Sequence, residues 1–358
     1  MKGRVLIAGF ATRHVARSAW KEGYAVYAVD HFCDQDLTWY TRDRIKFEEL
    51  EDLPDRIAGM AGRHRIDVFI PVSGAETIET AITLSGTDRS TAARLLDKLE
   101  VQRFFEREEI PVPPLAGEGD FPCIAKPRSG AGGWRNAIIR SRDDLERWRG
   151  ENPGIGAVFQ KQVGGTPASV SCIADGKRAV AIAANEQLLR RGDASPFGFI
   201  GSVTPLDHHL AGRMKALAVK AAAASGCVGS VGIDFVLGDD AWAIEVNPRF
   251  QGTVDTVEVS TGSSLFQFHM DACTGDLPRE TPAPVRYAAR RILFAERDLV
   301  VEEDLARLSL PIGDIPWPGT RFEEGQAVVS AIGSGVSRAG ALEDLDNTLN
   351  KLKGYMGR

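Results

Sequence analysis

Two carboxylates and an amide lie close together in a pair of apolar segments. Asp234 is in "GIDFVLG", Glu245 and Asn247 are in "AIEVNPR", and a turn at residues 238–240 joins the two segments. In an antiparallel hairpin, Asp234 and Glu245 occupy adjacent strands, and Asn247, two residues further on, shares a face with Glu245. Such a cluster of hard oxygen ligands predicts a Mg²⁺ site. Ordinary polar strand positions are the alternative, but unpaired charge is costly to bury among apolar residues.

A lysine followed by small residues forms a second candidate site. The segment "IAKPRSGAGG", residues 124–133, ends a predicted strand at Lys126 and continues into a glycine-rich loop. A lysine ammonium neutralises phosphate charge, and such a loop lets backbone N–H groups approach phosphate oxygens. The spacing matches neither the Walker A pattern nor GxGxxG. Taken alone, the segment is therefore equally typical of a glycine-rich hairpin tip.

The first ninety residues alternate continuous apolar strands with helices, which predicts a parallel, doubly wound sheet. The predicted strands are "RVLIAGF" from Arg4, "YAVYAVD" and "IDVFIPVSG". Ligands of such sheets bind beyond the carboxyl ends of the strands, which makes Arg13, Ser73 and Glu76 candidates for substrate contacts. Arg13 could pair with a substrate carboxylate, while an exposed arginine beside a helix cap is an equal alternative.

After residue 89, the predicted secondary structure changes three times along the chain. A helix over residues 90–109 stops at "IPVPP", a β-rich stretch follows to residue 189, and a helix and the hairpin come next. The sequence therefore predicts an α/β (α+β) chain. Its predicted parts are a Rossmann-like N-terminal domain (1–89), a body (90–277) with a small β-rich lobe (about 120–189) and a large metal-binding lobe (about 190–277), and a C-terminal α/β region (278–358).

Composition excludes several classes of protein. A chain of 358 residues with 43% hydrophobic residues supports two or three cores. Its net charge of -6 argues against nucleic-acid and anionic-membrane partners. The five cysteines contain no CxxC pair, so neither a zinc site nor a dithiol site is indicated, and a reducing cytosol fits best. Without an apolar run of roughly 20 residues, we expect a soluble cytoplasmic protein.

Three motifs in this order, "KPRSGAGG", "VFQKQVGG" and "GIDFVL…AIEVNPR", resemble the ATP-grasp superfamily over about residues 1–280. The layout is similar to the biotin-carboxylase-like carboligase branch. This resemblance implies an ATP-grasp fold with an N-terminal Rossmann-like domain and a small C-terminal region. It also implies ATP and two Mg²⁺ ions, for which Mn²⁺ can substitute. The residues it assigns to ATP are Lys98, Lys126, Ser129, Gly130, Gly132, Gly133, Gln160, Lys161 and Val163.

Within that set, Lys98 and Lys126 would bind the phosphates, although a solvated helix lysine also explains Lys98. "FQKQV" would hold adenine at the hinge between the lobes. Many relatives have a carboxylate where this chain has Gln160, but an amide oxygen can also accept from the exocyclic amine of adenine.

The resemblance assigns Mg²⁺ to Asp234, Glu245 and Asn247, and it makes Arg249 and Lys126 the catalytic residues. Arg249 would stabilise the transferring phosphate. In the segment that follows the hairpin, Gln251 and Thr253 are candidates for the acceptor side of the site.

The implied activity is an ATP-dependent carboxylate–amine ligase that forms an acyl phosphate on a small metabolite. The first alternative is a carboxylase that activates bicarbonate as carboxyphosphate. A non-catalytic nucleotide-binding module ranks last, because the metal set is complete. The expected partners are therefore a small carboxylate and an amine, and a homodimer is the default assembly.

Overall fold

The structure, a computed structural model, describes residues 2–117, 119–130, 133, 135–190 and 197–356. Its N-terminal part is a four-stranded parallel sheet in the order β3-β2-β1-β4. The elements of this part are β1 (Arg4–Gly9), α1 (Arg13–Lys21), β2 (Ala25–Asp30), α2 (Leu37–Tyr40), β3 (Asp43–Lys46), a 3-10 helix (Leu50–Asp52), α3 (Leu53–Arg63) and β4 (Val68–Pro71).

The central strand β1 is buried on both faces, which explains its continuous apolar run. Val5 and Ile7 pack into one hydrophobic cluster with α1, while Leu6 and Ala8 pack into another with α3. Alternate side chains thus serve opposite layers of the fold. The predicted parallel sheet is confirmed.

Between the N-terminal sheet and the next sheet lie two helices, α4 (Arg89–Leu96) and α5 (Lys98–Arg107), where the sequence predicted one. The break occurs at Asp97, whose backbone is extended and whose side chain accepts hydrogen bonds from the N–H groups of Leu99 and Glu100. An aspartate in this position caps a new helix, and propensity alone does not reveal that break.

A small antiparallel sheet follows, in the order β6-β5-β7. Its elements are β5 (Cys123–Pro127), β6 (Ala137–Ile139), α6 (Arg142–Glu151) and β7 (Ala157–Lys161). Lys126 is the penultimate residue of β5, and Gln160 occupies the same place in β7.

The largest sheet has eight antiparallel strands in the order β12-β11-β8-β9-β10-β13-β17-β15, and β14 pairs with β16 beside it. The elements of this region are β8 (Thr166–Asp175), β9 (Ala179–Leu189), β10 (Phe199–Thr204), α7 (Ala211–Ser225), β11 (Val228–Leu237), β12 (Ala241–Asn247), α8 (Val254–Thr261), α9 (Leu265–Ala272), β13 (Tyr287–Phe294), β14 (Leu299–Val301), a 3-10 helix (Leu305–Leu308), β15 (Ile312–Gly313), β16 (Thr320–Phe322), β17 (Ala327–Gly335) and α10 (Arg338–Met356).

This sheet does not follow the part boundaries drawn from the sequence. The small lobe was expected to extend to about residue 189, but β8 and β9 pair with each other and β8 pairs with β11 in the large sheet. Similarly, β13 pairs with β10, so the region after residue 277 continues the same sheet. The physical reason is that β8 and β9 are buried by layers on both faces, and their sequence does not specify which sheet supplies their neighbours.

Helices cover the two faces of the large sheet. Helix α7 packs on one face through a row of small buried side chains, among them Ala218 and Ala222. On the other face, α8 and α9 lie between the large sheet and the N-terminal sheet, where Phe250 and Phe266 share a hydrophobic cluster with Val5. In the part of the chain that the structure describes, no helix is long and apolar enough to cross a membrane.

A buried ion-pair network joins the N-terminal sheet to the rest of the chain. Arg13 donates to both carboxylate oxygens of Asp255, at 3.0 and 2.7 Å, and to Asp314 at 2.9 Å. Arg290 also binds Asp314, at 2.6 Å. Burial would raise the pKa of the Asp255 carboxyl, but the guanidinium of Arg13, assisted by Arg290, holds this pKa well below its ordinary value. The network therefore depends on ionised carboxylates.

We expect Asp255→Asn to lower the free energy of unfolding by about 3–5 kcal/mol at pH 7, since it removes the carboxylate that pairs with both terminal nitrogens of the buried Arg13 guanidinium. The folded-state pKa of Asp255 is depressed, so its contribution is present above the unfolded pKa of about 3.9 and is lost as pH falls further. Urea unfolding across this pH range checks both points. Glu296→Gln, which breaks an exposed pair with Lys353, is the control and should change stability little. Equal effects of the two substitutions would contradict the assignment.

Candidate active site

A cavity of about 570 Å³ lies where the three main sheets meet. The N-terminal sheet contributes Phe10 from the end of β1, and the small sheet contributes Lys126. Of the residues that the sequence nominated, those that line the cavity are Ser73, Lys126, Gly133, Gln160, Lys161, Val163, Asp234, Glu245, Asn247, Arg249, Gln251 and Thr253. These residues lie up to 180 positions apart in the chain, from Ser73 to Thr253, and yet they line one space. Their roles there stay predictions.

The β11–β12 hairpin presents the candidate metal ligands. Asp234 pairs directly with Glu245, and a bulge follows before Phe235 pairs with Ala243. Asn247 donates to the Asp234 carboxylate at 3.1 Å. The pairing therefore brings the three side chains together on one face, in agreement with the spacing of their residues in the sequence.

Asp234 is surrounded by amide groups. Gln187 and Gln251 donate to the same carboxylate oxygen, at 2.9 and 3.0 Å. Burial and the neighbouring Glu245 carboxylate together raise the pKa of Asp234 to about 7. A cation would relieve this repulsion between the carboxylates. Gln187 was missed in the sequence, because β9 reaches this site only through the pairing order of the large sheet.

The oxygen ligands fit Mg²⁺ on chemical grounds. Among the described residues, no group of three or more histidine, cysteine, aspartate or glutamate side chains could hold a metal ion. The hairpin offers two carboxylates and one amide oxygen. Mg²⁺ typically binds through one or two carboxylates and completes its octahedron with water and substrate phosphates. The donor set therefore fits a metal that arrives with a phosphate ligand.

Arg249 lies beside this face and is held on three sides. It donates to Glu76 at 2.8 Å, to the Asn247 side-chain oxygen at 3.1 Å and to the Phe250 carbonyl at 3.0 Å. Glu76, which the sequence nominated for substrate, also accepts from the Gly74 N–H. It is buried against Arg249 and is not among the residues that line the cavity. Its observed contact is with the arginine, which it orients.

The two nominated lysines lie near each other. Lys126 is 6% exposed, and burial lowers its pKa to about 8, with Glu245 opposing the shift and Lys98 adding to it. Lys98 starts α5 and donates from its ammonium to the Gly130 carbonyl at 2.6 Å. It therefore lies at the base of the glycine-rich loop and outside the lining of the cavity.

The glycine-rich loop is described only in part. Ser129 and Gly130 are exposed and are not among the lining residues, and Gly132 lies outside the described residues. Gly133 lines the cavity with a positive φ of 72°, and a Cβ atom here would collide with the Phe197 carbonyl. Gly133 is therefore required by both its backbone conformation and its close neighbour.

Gln251 and Thr253 rest on a buried layer of hydroxyl groups. Ser171 contacts both, at 3.3 Å from the Gln251 amide oxygen and 3.2 Å from the Thr253 hydroxyl. Asn185 donates to Ser171 from the neighbouring strand. Gly232 leaves space for the Gln251 side chain, since a Cβ atom at this position would overlap the amide group. The position of Gln251 against Asp234 is thus set by packing and hydrogen bonds.

Arg13 differs from its sequence expectation. It was nominated to pair with a substrate carboxylate, but its guanidinium is buried in the ion-pair network with Asp255 and Asp314. It does not line this cavity, whereas the next residue, His14, does. The reason is that the first turn of α1 directs Arg13 towards α8, a contact across more than 240 residues of sequence.

Comparisons with known sequences agree with the motifs. A family model described as an ATP-grasp domain matches residues 95–253. The carbamoyl phosphate synthase large chain of Deinococcus radiodurans is 25% identical over 319 residues, covering 79% of this chain and 31% of that protein. The corresponding protein of Pseudomonas syringae pv. tomato is 26% identical over 281 residues, covering 70% of this chain and 26% of that protein. This chain spans less than a third of the length of these relatives.

Solved structures share the fold over nearly the whole chain. The biotin carboxylase domain dimer of Hydrogenobacter thermophilus 2-oxoglutarate carboxylase, in complex with MgADP, ADP and bicarbonate, has a TM-score of 0.79 at 15% identity, covering 97% of this chain and 89% of that chain. The L-amino acid ligase from Bacillus licheniformis has a TM-score of 0.74 at 16% identity, covering 99% and 98%. The expected fold is confirmed. Residues 95–253 match the ATP-grasp domain family.

Proposed function

We propose that this protein is an ATP-dependent carboxylate–amine ligase that activates a small carboxylic acid as an acyl phosphate. The observation that carries the proposal is the composition of the cavity. The face formed by Asp234, Glu245 and Asn247 lines the same space as the buried ammonium of Lys126, and Arg249 lies beside it. Negative oxygens for a metal and cations for phosphate are the groups that phosphoryl transfer requires.

The metal-binding part of the proposal rests on charge. Mg²⁺ bound with the nucleotide would neutralise phosphate charge and help to align the γ-phosphate for transfer. The residues that would hold it are Asp234, Glu245 and Asn247. The three amides around Asp234 keep its carboxylate fixed before any ligand binds, so little reorganisation is needed.

The phosphate-binding part rests on the lysines. Lys126 has a pKa of about 8 because it is buried, so its ammonium is still mostly protonated at pH 7. Lys98 would act from the base of the glycine-rich loop. Preorganised cations of this kind stabilise developing charge without moving during the reaction.

The reaction has two steps. A carboxylate oxygen of the acid attacks the γ-phosphorus, the bond from this phosphorus to the bridging oxygen of ADP breaks, and an acyl phosphate and ADP form. The amine nitrogen then attacks the acyl carbon, the carbon–oxygen bond to phosphate breaks, and the nitrogen loses a proton. Arg249, fixed by Glu76, would stabilise the phosphate charge in both steps. Gly133 and Phe197 meet at the cavity, which supports exclusion of water from the acyl phosphate.

A second candidate is an ATP-dependent carboxylase that activates bicarbonate. The observation in its favour is the shared fold with the 2-oxoglutarate carboxylase domain that was solved with MgADP and bicarbonate. Both activities would use the same metal and phosphate groups, so the difference lies in the acid. A homodimer stays an expectation for this chain.

Transfer of oxygen separates the two candidates. We expect a panel of ¹⁸O-labelled small carboxylic acids and amino acids, incubated with MgATP and hydroxylamine as the amine, to include an acid that yields a hydroxamate and one labelled phosphate per turnover. Mass spectrometry of the phosphate and the hydroxamate measures both products. An acid that is consumed without transfer of label to phosphate would rule out the acyl phosphate. ADP formation that needs bicarbonate but no organic acid would instead favour the carboxylase.

Glu245→Gln should lower the rate of ADP formation by about 10²–10³-fold, because it removes a charge from the metal-binding face at nearly constant volume. The thermal unfolding midpoint should be kept. Asp239→Asn is the matched control, since Asp239 lies in the turn of the same hairpin and outside the cavity. Wild-type turnover in the Glu245→Gln variant would overturn the metal assignment.

Gly232→Ala should weaken MgADP binding about tenfold or more, because the new methyl group displaces Gln251 from its hydrogen bond to the Asp234 carboxylate. Isothermal titration calorimetry measures the affinity, and circular dichroism checks the fold. Gly212→Ala provides the control, since nothing lies within 4 Å of a Cβ atom at that helical position. Unchanged affinity in Gly232→Ala would show that Gln251 plays no part in the site.

A further inference from the structure

The two ends of the Gln160 side-chain amide have different surroundings. Gln160 lines the cavity and is 4% exposed. Its Nε2 donates to the Oε1 of Gln102 at 2.6 Å, whereas its own Oε1 is buried and has no hydrogen-bond partner among the described residues. A buried acceptor without a donor costs about 1–3 kcal/mol, so such an atom in a cavity points to a ligand that donates to it.

A chain of hydrogen bonds decides which end of the Gln160 amide faces Gln102 and which end is left without a partner. The Nε2 of Gln102 donates to the Glu106 carboxylate at 2.6 Å and to the Pro113 carbonyl at 3.3 Å. A carboxylate and a carbonyl can only accept, so Gln102 must direct its Nε2 towards them. The Oε1 of Gln102 then faces Gln160 and can only accept a hydrogen bond, so Gln160 must present its Nε2. Glu106 and Pro113 thus set the direction of two amides in series.

We propose that Gln102 and Glu106 are positioning residues that fix Gln160 with its oxygen available to the nucleobase, and that they thereby make the site select 6-amino purines over 6-oxo purines. The inference rests on the proposed binding of ATP in this cavity. The exocyclic amine of adenine donates to the Gln160 oxygen. A 6-oxo purine would place a second acceptor against that oxygen and leave both atoms unpaired.

The hydrogen-bond relay from Glu106 through Gln102 to Gln160 has a physical consequence for ligand choice. A carboxylate at position 160 would accept hydrogen bonds through either oxygen and would need no orientation. An amide is ambiguous, because rotation by 180° exchanges an acceptor for a donor without changing its shape. With the donor outward, the same pocket would favour a 6-oxo purine. The relay from α5 fixes the orientation of the Gln160 amide, so that its oxygen can accept from the exocyclic amine of adenine.

Gln102→Met tests the proposal, since it removes both amide functions at similar volume and frees Gln160 to rotate. The probes are MgADP and MgIDP, which differ in the 6-substituent and are measured by calorimetry without turnover. We expect wild-type protein to prefer MgADP and Gln102→Met to reduce that preference about five- to tenfold, the worth of one neutral hydrogen bond. Glu106→Gln, at an exposed position, should reduce it less, because Pro113 still accepts from Gln102.

A double-mutant cycle shows whether Gln102 acts through Gln160. In a Gln160→Leu background, which lacks the acceptor, Gln102→Met should cause no further change in the ratio of the two affinities. Glu100→Gln, at a partly exposed position of the same helix whose side chain pairs with Arg103, should leave the ratio at its wild-type value. These readouts would not respond if Gln102 merely supported the fold, because general destabilisation weakens both nucleotides together.

Several results would overturn the inference. Equal binding of MgADP and MgIDP by wild-type protein would do so, as would an unchanged ratio in both Gln102→Met and Glu106→Gln. In either case, measurable MgADP binding would leave the proposed ligase function standing. Binding of neither nucleotide to the wild-type protein would instead contradict the proposed function, on which the inference depends.

Discussion

Two carboxylates, Asp234 and Glu245, face the same space from neighbouring strands of a largely buried sheet, and much of the site compensates for their charge. Amide donors from β9 and from the segment after β12 bind Asp234. The Lys126 ammonium lies close enough to Glu245 for this carboxylate to raise the pKa of the lysine, against the effect of burial. Burial still raises the pKa of Asp234 to about 7. The protein groups alone therefore do not fully compensate the two carboxylates, and the metal–phosphate ligand that we propose would supply positive charge and additional oxygens.

The N-terminal sheet contributes to this site mainly by orienting residues of other elements. Glu76 holds Arg249 next to the face that carries the candidate metal ligands, and the Arg13 network anchors α8, which begins directly after Thr253. Hydrogen bonds and ion pairs between distant segments thus align the catalytic candidates. Their burial makes each link sensitive to loss of one partner.

Sequence alone predicted the parts of the site that lie within short segments. The hairpin places Asp234, Glu245 and Asn247 together because strand pairing across a short turn is local. Gln187 was missed, since its contact with Asp234 depends on the order of three strands, β11, β8 and β9. Asp255 pairs with Arg13, and Arg249 pairs with Glu76, across more than 170 residues of sequence, and no pattern in one sequence specifies these pairs. The fold class was predictable from periodicity and motifs. That β8 and β9, and also strands after residue 277, belong to the large sheet was not.

The large sheet also restricts how the chain can be divided or recombined. The match to the ATP-grasp domain ends at residue 253. Strand β10 lies inside this match, yet four of its residues pair with β13, which lies beyond it. A fragment cut at this boundary would expose the N–H and C=O groups along one edge of β10, which is a template for pairing with other chains. The unit that keeps both edges of β10 paired is thus larger than the unit that carries the recognisable motifs.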